Sequence, residues 1–368
     1  MKRELIEEAY DKAIEVVKTC LTPHGLYASG GENGYKGVWS RDSFITFLGA
    51  SLIKENDFSK TFKESLETLG NNQSKIGQIP NAVLKFNRKK PEVDFKSIDS
   101  SLWFVIGHHV YKKRYKDKSF FRKNISKINK ALTWLSYQDV GEDITLEQQP
   151  TSDWQDAFPN KYGTTINTQA LYYQVLKLSG HYLTAWKLKR AVNKNKDITL
   201  WNGEFYWAYR WKNHNTYKEI GPWFDSLGNL LAIVFGLASK SQSKNILNYI
   251  KIKKINRPYP VKAIAPPIKP GSENWEDYYL DAGATPNNYL NGGIWPYIGS
   301  FYVLSLIKMK QFKEAEQELK RLAEANLRGN FPEWIHPITK KNNGKLQAWD
   351  AGTYILAYES FKNKKVLI

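Results

Sequence analysis

Segments of helical length, each with apolar residues on one face, alternate with polar, aromatic loops from one end of this 368-residue chain to the other. Leu5, Ala9, Ala13, Val16 and Val17 set such a face over residues 3–19, and Pro23 and Gly25 close it. An apolar helix is predicted over 44–53, another amphipathic one over 61–69 and one opened by a cap-like Asp or Ser over 99–109, and the alternation of helix and loop recurs at 121–137, 166–179, 182–193, 226–237, 241–249, 293–309, 313–325 and 348–361. Allowing for missed or short helices, twelve of them have about 31 residues each with their loops, which fits six helical hairpins closed into a ring. Strand signals are few. The best, residues 203–211, predicts a hairpin or extended excursion between helices. Residues 258–270, with five prolines, cannot be helical and read as a long ordered loop at the rim of a site. No shift in composition marks a second unit. The expected fold is therefore all-α: a single (α/α)6 barrel, or six-hairpin toroid, over residues 1–368, with long irregular loops and a small β excursion.

Two loops carry a carboxylate among aromatic rings. Asp156 lies in Thr151-Ser-Asp-Trp-Gln-Asp-Ala-Phe158, and Glu333 in Asn330-Phe-Pro-Glu-Trp-Ile-His336. Each reads as a loop-to-helix junction. Hydrolysis of a glycosidic bond needs one protonated acid and one ionised base, so this pair is a candidate for that chemistry. Contact with Trp154 and Phe158 would raise the pKa of Asp156, while polar neighbours or His336 would keep Glu333 ionised. Asp153 is a rival for the acid role, and a helix cap is the alternative role for Asp156. If the reaction inverts the sugar, the two carboxyl groups stand roughly 6.5–9.5 Å apart, and about 5 Å if it retains.

Composition narrows the alternatives. Aromatics make up 14% of the chain, with 13 Trp and 22 Tyr; such rings line sugar sites, where a flat apolar face meets a polar edge, and otherwise pack the core. A single cysteine, Cys20, excludes an internal disulfide. The charged start and the lack of any apolar run of about twenty residues predict no signal peptide, no membrane span and a cytoplasmic protein. A net charge of +18 raises nucleic acid as a partner. The lysines are spread along helical faces, as over 177–196, and the densest clusters are short, such as Lys112-Lys113-Arg114, so no nucleic-acid partner is expected. The six histidines (24, 108, 109, 181, 214 and 336) lack ligand spacing, and no nucleophile elbow or phosphate loop occurs; neither metal nor cofactor is expected.

Five motifs in order resemble the six-hairpin glycosidases, from about residue 35 to the end. Val38-Trp39-Ser40-Arg41-Asp42-Ser43 resembles the W-x-R-D segment of glycogen-debranching α-1,6-glucosidases. Gly77-Gln-Ile-Pro-Asn81 with Asp99-Ser-Ser-Leu-Trp103 resembles their G-x-I-P-N and D-x-x-L-W. Trp154-Gln-Asp156-Ala resembles W-M-D-A, Asn291-Gly-Gly-Ile-Trp295-Pro resembles N-G-x-x-W-P, and Phe331-Pro-Glu333 with Gln347-Ala-Trp349 resembles the closing segment. The resemblance implies Asp156 as general acid and Glu333 as general base of an inverting mechanism. It implies Arg41, Asp42 and Asp99 as groups that grip sugar hydroxyls, and Trp39, Trp103 and Trp295 as stacking faces. Asn81, Trp154, Asn167, Gln169, Gln347 and Trp349 complete the implied substrate-binding set.

Two departures bear on substrate. Ile166-Asn167-Thr168-Gln169-Ala-Leu-Tyr-Tyr173 stands where debranching enzymes read V-E-I-N-A-L-W-Y and neutral invertases read I-E-I-Q-A-L-F-Y. Asn167 thus removes a charge expected to face the site, and Gln169 follows the invertase pattern. The chain also begins almost at the barrel, without the large domains that handle polymer. The expected activity is an exo-acting amylo-α-1,6-glucosidase type, releasing glucose from short oligosaccharides or branch ends. The alternatives are a hydrolase of a small glycoside, invertase-, trehalase- or glucosylglycerate-like, and a non-catalytic sugar-binding barrel.

Overall fold

Periodicity decides where this chain turns helical, and burial decides which helices go inside. The computed structural model describes residues 5–32, 34–158, 160–195, 197–213 and 217–368, so Met1–Glu4, Lys196 and His214, which the readings above include, lie outside the described residues. The helices are α1 Leu5–Cys20, α2 Ser40–Ala50, α3 Asn56–Asn71, α4 Asp99–Tyr115, α5 Lys118–Ser136, α6 Ile166–Leu178, α7 Tyr182–Lys194, α8 Ser226–Phe235, α9 Lys240–Ile252, α10 Tyr278–Asp281, α11 Pro296–Lys308, α12 Phe312–Gly329 and α13 Ala348–Lys362. All but the one-turn α10 fall on segments expected to be helical.

These helices are of two kinds. α2 and α8 are buried along their whole length, α11 all but its last residue, and α4, α6 and α13 are buried through their N-terminal turns and less so toward their C-terminal ends. α1, α3, α5, α7, α9 and α12 bury one face and expose charge on the other. The enclosed six form a closed circuit: α2 packs on α4, α4 on α6, α6 on α8, α8 on α11, α11 on α13, and α13 back on α2. The amphipathic helices lie outside, α1 against α12 and α13, α5 on α4, α7 on α6 and α12 on α11. Glycines allow the closing contact. A Cβ on Gly49 of α2 would lie 1.9 Å from the Gly352 carbonyl oxygen of α13, so no other residue fits without parting the two helices.

The loops correct the expectation of an all-α chain with one β excursion. Short strands recur throughout them. Residues 264–265, 217–225, 207–213, 163–165 and 147–148 form, in that order, a five-stranded antiparallel sheet, and Val38–Trp39, Ala82–Leu84 and Glu92–Asp94 form a three-stranded one. Most are two or three residues long, too short for an alternating pattern to register in sequence. Their physical role is plain: the loops pack over a buried site, where unpaired peptide groups would be costly. The strands ending at Trp39, Thr165 and Asp225 run straight into α2, α6 and α8 and fix where those helices start. Residues 258–270 are not the rim of the pocket described below, since none lines it. They brace the segment after it, with the Asn291 side chain clipped to the backbone of Ile268 by bonds of 2.7 and 2.8 Å.

Candidate active site

The site gathers at the N-terminal ends of the inner helices. Arg41 sits in the first turn of α2, fully enclosed, and two elements hold its guanidinium. Its Nε donates to Asp99 Oδ2 at 2.8 Å, and its Nη2 to Asp99 Oδ1 at 3.3 Å and to Ser97 Oγ at 3.1 Å. Ser97 in turn donates to Asn81 Oδ1 at 2.9 Å, and Asn81 to Asp94 at 2.7 Å. This fork leaves Nη1 facing the pocket, 3.7 Å from Asp156 Oδ2. Asp42, the next residue, points into the same space.

The pocket is small, with a cavity volume of about 110 Å³. Its walls are Ala28, Tyr35, Trp39, Arg41, Asp42, Trp154, Asp156, Tyr289, Trp295, Glu333, Gln347 and Trp349. Asp156 and Glu333, far apart in sequence, thus line one cavity. Trp154 meets Trp295 edge to face at 5.5 Å, and Trp349 stacks on Tyr297 at 4.3 Å behind them. The indole nitrogens of Trp39, Trp154 and Trp349 are buried without an acceptor among the described residues, so this aromatic wall also presents hydrogen-bond donors.

Three acids share this confined space, and each holds its proton more tightly than usual. Burial pushes Asp42 up to about 7 against the pull of Arg41. Burial, with the charges of Asp42 and Asp156, pushes Glu333 up to about 7, while a hydrogen bond from Tyr35 pulls it down. Burial raises Asp156 above the usual carboxylate range, opposed by Arg41 and by Lys96. Such a cluster keeps one group protonated while another is ionised near neutral pH, the condition for paired acid and base work. Below it Asp350 accepts from the Tyr297 amide at 2.7 Å, and burial raises it well above the usual carboxylate range.

Both acid-bearing segments differ from the loop-to-helix junctions expected. Asp156 lies in a turn between the strands at 147–148 and 163–165, so it caps no helix. Asp153 is removed from the acid role: its carboxylate pairs with the buried Lys161 ammonium at 2.7 Å. Lys161 also reaches Asp225 at 2.9 Å and Gln155 at 2.5 Å, which clamps the Asp156 loop to the start of α8. Glu333 follows α12, after two residues in left-handed backbone, Asn330 (φ 51°) and Phe331 (φ 56°). That conformation is costly for a phenylalanine, and it turns the chain so that Glu333 enters the pocket. A Cβ on Gly344 would sit 2.8 Å from Glu333 Cβ, so the facing strand comes close behind the acid. His336 does not assist Glu333, because its Nδ1 accepts the amides of Ile338 and Thr339.

Of the other expected groups, Trp39, Arg41, Asp42, Trp154, Trp295, Gln347 and Trp349 line the pocket, and five do not. Asp99 and Asn81 stand behind Arg41 and hold it, and Trp103 is core. Asn167 faces Asp153 at 3.4 Å, one layer behind the wall, so the charge its side chain lacks would not face the cavity. Gln169 is bonded both ways to the backbone of Leu146. Sequence reasoning missed Tyr35, Tyr289, Lys161, Asp225 and Asp350. Tyr35 and Tyr289 flank motifs already singled out, whereas the partners of Lys161 become visible only in the fold. Among the described residues no cluster of three or more His, Cys, Asp or Glu side chains could hold a metal ion.

With this geometry in view, solved structures of similar fold are telling. The chain superposes on the GH63 mannosylglycerate hydrolase of Thermus thermophilus with a TM-score of 0.72 at 12% identity, covering 94% of this chain and 99% of that one. A structure described as a wild-type glycosidase gives a TM-score of 0.68 at 12% identity over 98% of each. The chain therefore has the fold of the helical glycosidases, with a pair of carboxylates at its centre.

More specifically, the profile of the alkaline and neutral invertase family matches residues 213–364. The chain is 26% identical over 323 residues to neutral/alkaline invertase 1, mitochondrial, of Oryza sativa subsp. japonica, covering 70% of this chain and 50% of that one. It is 28% identical over 320 residues to alkaline/neutral invertase E, chloroplastic, of Arabidopsis thaliana, covering 71% and 51%. The chain thus spans about half the length of the curated relatives it matches.

Proposed function

We propose that this protein, a six-hairpin (α/α)6 toroid, is a glycosidase that hydrolyses a small glycoside with inversion, Asp156 protonating the leaving oxygen and Glu333 activating water. The observation that carries this reading is that the two acids, brought from distant loops, line one small aromatic-walled cavity beside Arg41. Arg41 and Asp42 offer a donor and an acceptor in fixed directions for adjacent sugar hydroxyls, while the indole faces offer a platform for the ring. The pocket is suited to one sugar unit at its base. The relatives include invertases, and Gln169 follows the invertase pattern. Sucrose or another small glycoside therefore comes before branch ends of a polymer, and the amylo-α-1,6-glucosidase reading rests on the loop motifs alone.

The test is hydrolysis of sucrose, trehalose, glucosylglycerate, mannosylglycerate and isomaltose-type substrates, with the released anomer followed by NMR. Turnover of one of the first four with inverted product is expected. Isomaltose as the preferred substrate would return the debranching reading, and no turnover of any would leave a sugar-binding barrel.

A further inference from the structure

The inner helices have a second end, and the charge collected there is not explained by the catalytic pocket. A hollow of about 430 Å³ opens at the C-terminal ends of α6, α8 and α11, beside the end of α13. Lys177, Lys308, Lys310, Lys364 and Lys365 line it, and no aspartate or glutamate does. Ile368 lines it too, with its backbone oxygen taken up by Lys113 at 2.7 Å.

Some of this charge has a structural use. Lys308 donates to the Val234 carbonyl at 2.7 Å and Lys177 to the Phe235 carbonyl at 3.0 Å, while nearby Lys189 donates to the Gly236 carbonyl at 2.6 Å. These three complete the end of α8, where cations are favoured. The remaining three exceed that need. Lys310, Lys364 and Lys365 are exposed, and none of their ammonium groups has a carboxylate or carbonyl partner among the described residues. The crowding is felt electrostatically: desolvation, with the charges of Lys177 and Lys189, draws Lys308 down to about 8. Like charges held in a concave site without acidic side chains are relieved by an anion.

We propose that this hollow is a binding site for a small phosphate-bearing polyanion, at the opposite end of the inner helices from the catalytic pocket. Lys308 and Lys177, held by carbonyls, line one side of it, and Lys310, Lys364 and Lys365 meet the ligand from two neighbouring loops. A ligand with two phosphate groups can span several ammonium groups at once, whereas a neutral sugar gains nothing from them.

The test is isothermal titration of the full chain with inorganic pyrophosphate at about 20 mM NaCl, with glucose as the neutral control. Saturable binding of pyrophosphate is expected, weakened at least tenfold in Lys310→Ala/Lys364→Ala/Lys365→Ala and by raising NaCl to about 200 mM. A control variant, Lys89→Ala/Lys90→Ala/Lys187→Ala, removes the same charge from exposed positions elsewhere and keeps the wild-type affinity. Adenosine diphosphate and a sugar bisphosphate run beside pyrophosphate distinguish a nucleotide source from a sugar source by which binds more tightly. No binding to wild type, or equal loss in the control variant, overturns the site, because the affinity would then be absent or owed to overall charge. Glycoside turnover does not enter this readout, so it fails or succeeds apart from the catalytic assignment.

Discussion

Single side chains carry the chemistry, and their pKa directions make them separable. Asp156→Asn and Glu333→Gln each remove one proton-transferring group and are expected to lower kcat by about 10²–10⁴ with the fold intact by circular dichroism. If Glu333 is the base, kcat/KM is expected to fall on the acid side as pH drops through about 7, because the carboxylate must be ionised to activate water. Tyr35 donates to that carboxylate and favours its ionised form. Tyr35→Phe is therefore expected to move the acid limb of the profile to higher pH; an unmoved limb would assign it to Asp42 or to the cluster as a whole. At this scale sequence reasoning picked out Asp156, Glu333 and most of the residues that line the pocket. It also placed Asp99 and Asn81 among them, whereas they stand behind Arg41 and hold it, a difference that a motif does not encode.

Elements were legible to the extent that they repeat. A 3.6-residue period over three or more turns locates the outer helices, and α12 needs no tertiary information to be found, whereas α4 is buried on every side of its first turns and carries no such period. Two-residue strands have no period to read, and the Lys161 clamp depends on bringing together residues 153, 155, 161 and 225. That clamp connects the strand–turn–strand loop bearing Asp156 to the N-terminus of α8, where Asp225 also caps Gly228 at 3.1 Å. Lys161→Met strands two buried carboxylates and is expected to cost roughly 3–5 kcal/mol in urea unfolding. Lys161→Met/Asp153→Asn is expected to recover part of that loss, and strict additivity of the two changes would show that the ion pair is not a coupled unit.

For the whole molecule, buried titratable groups set opposing slopes of stability with pH. Asp42 and Glu333 hold protons up to about 7 in the folded chain but only to about 4 unfolded. The folded state therefore binds more protons in that window, and stability rises as pH falls through 7. His108 and His109, pushed by burial down to about 3 and 4, act the other way, and stability drops as the unfolded chain takes up protons below about 6.5. Tm is expected to rise from pH 8 to about 6.5 and then to level off, because below that pH the two acids and the two histidines offset each other. In Asp42→Asn/Glu333→Gln the rise disappears and a fall below about 6.5 takes its place; a variant that kept the rise would place it on other groups. The order of helices around the ring was legible only as an expectation, since periodicity says that a helix exists and not which neighbour it meets. Closure of that ring through Gly49 and Gly352 has a mechanical meaning. A hoop has no free edge from which to peel, so loosening any one of its six staves loads the two beside it. The pocket, assembled from several of those staves, should then open in one cooperative step, seen in native-state hydrogen exchange as a common opening free energy for α2, α4, α6, α8, α11 and α13.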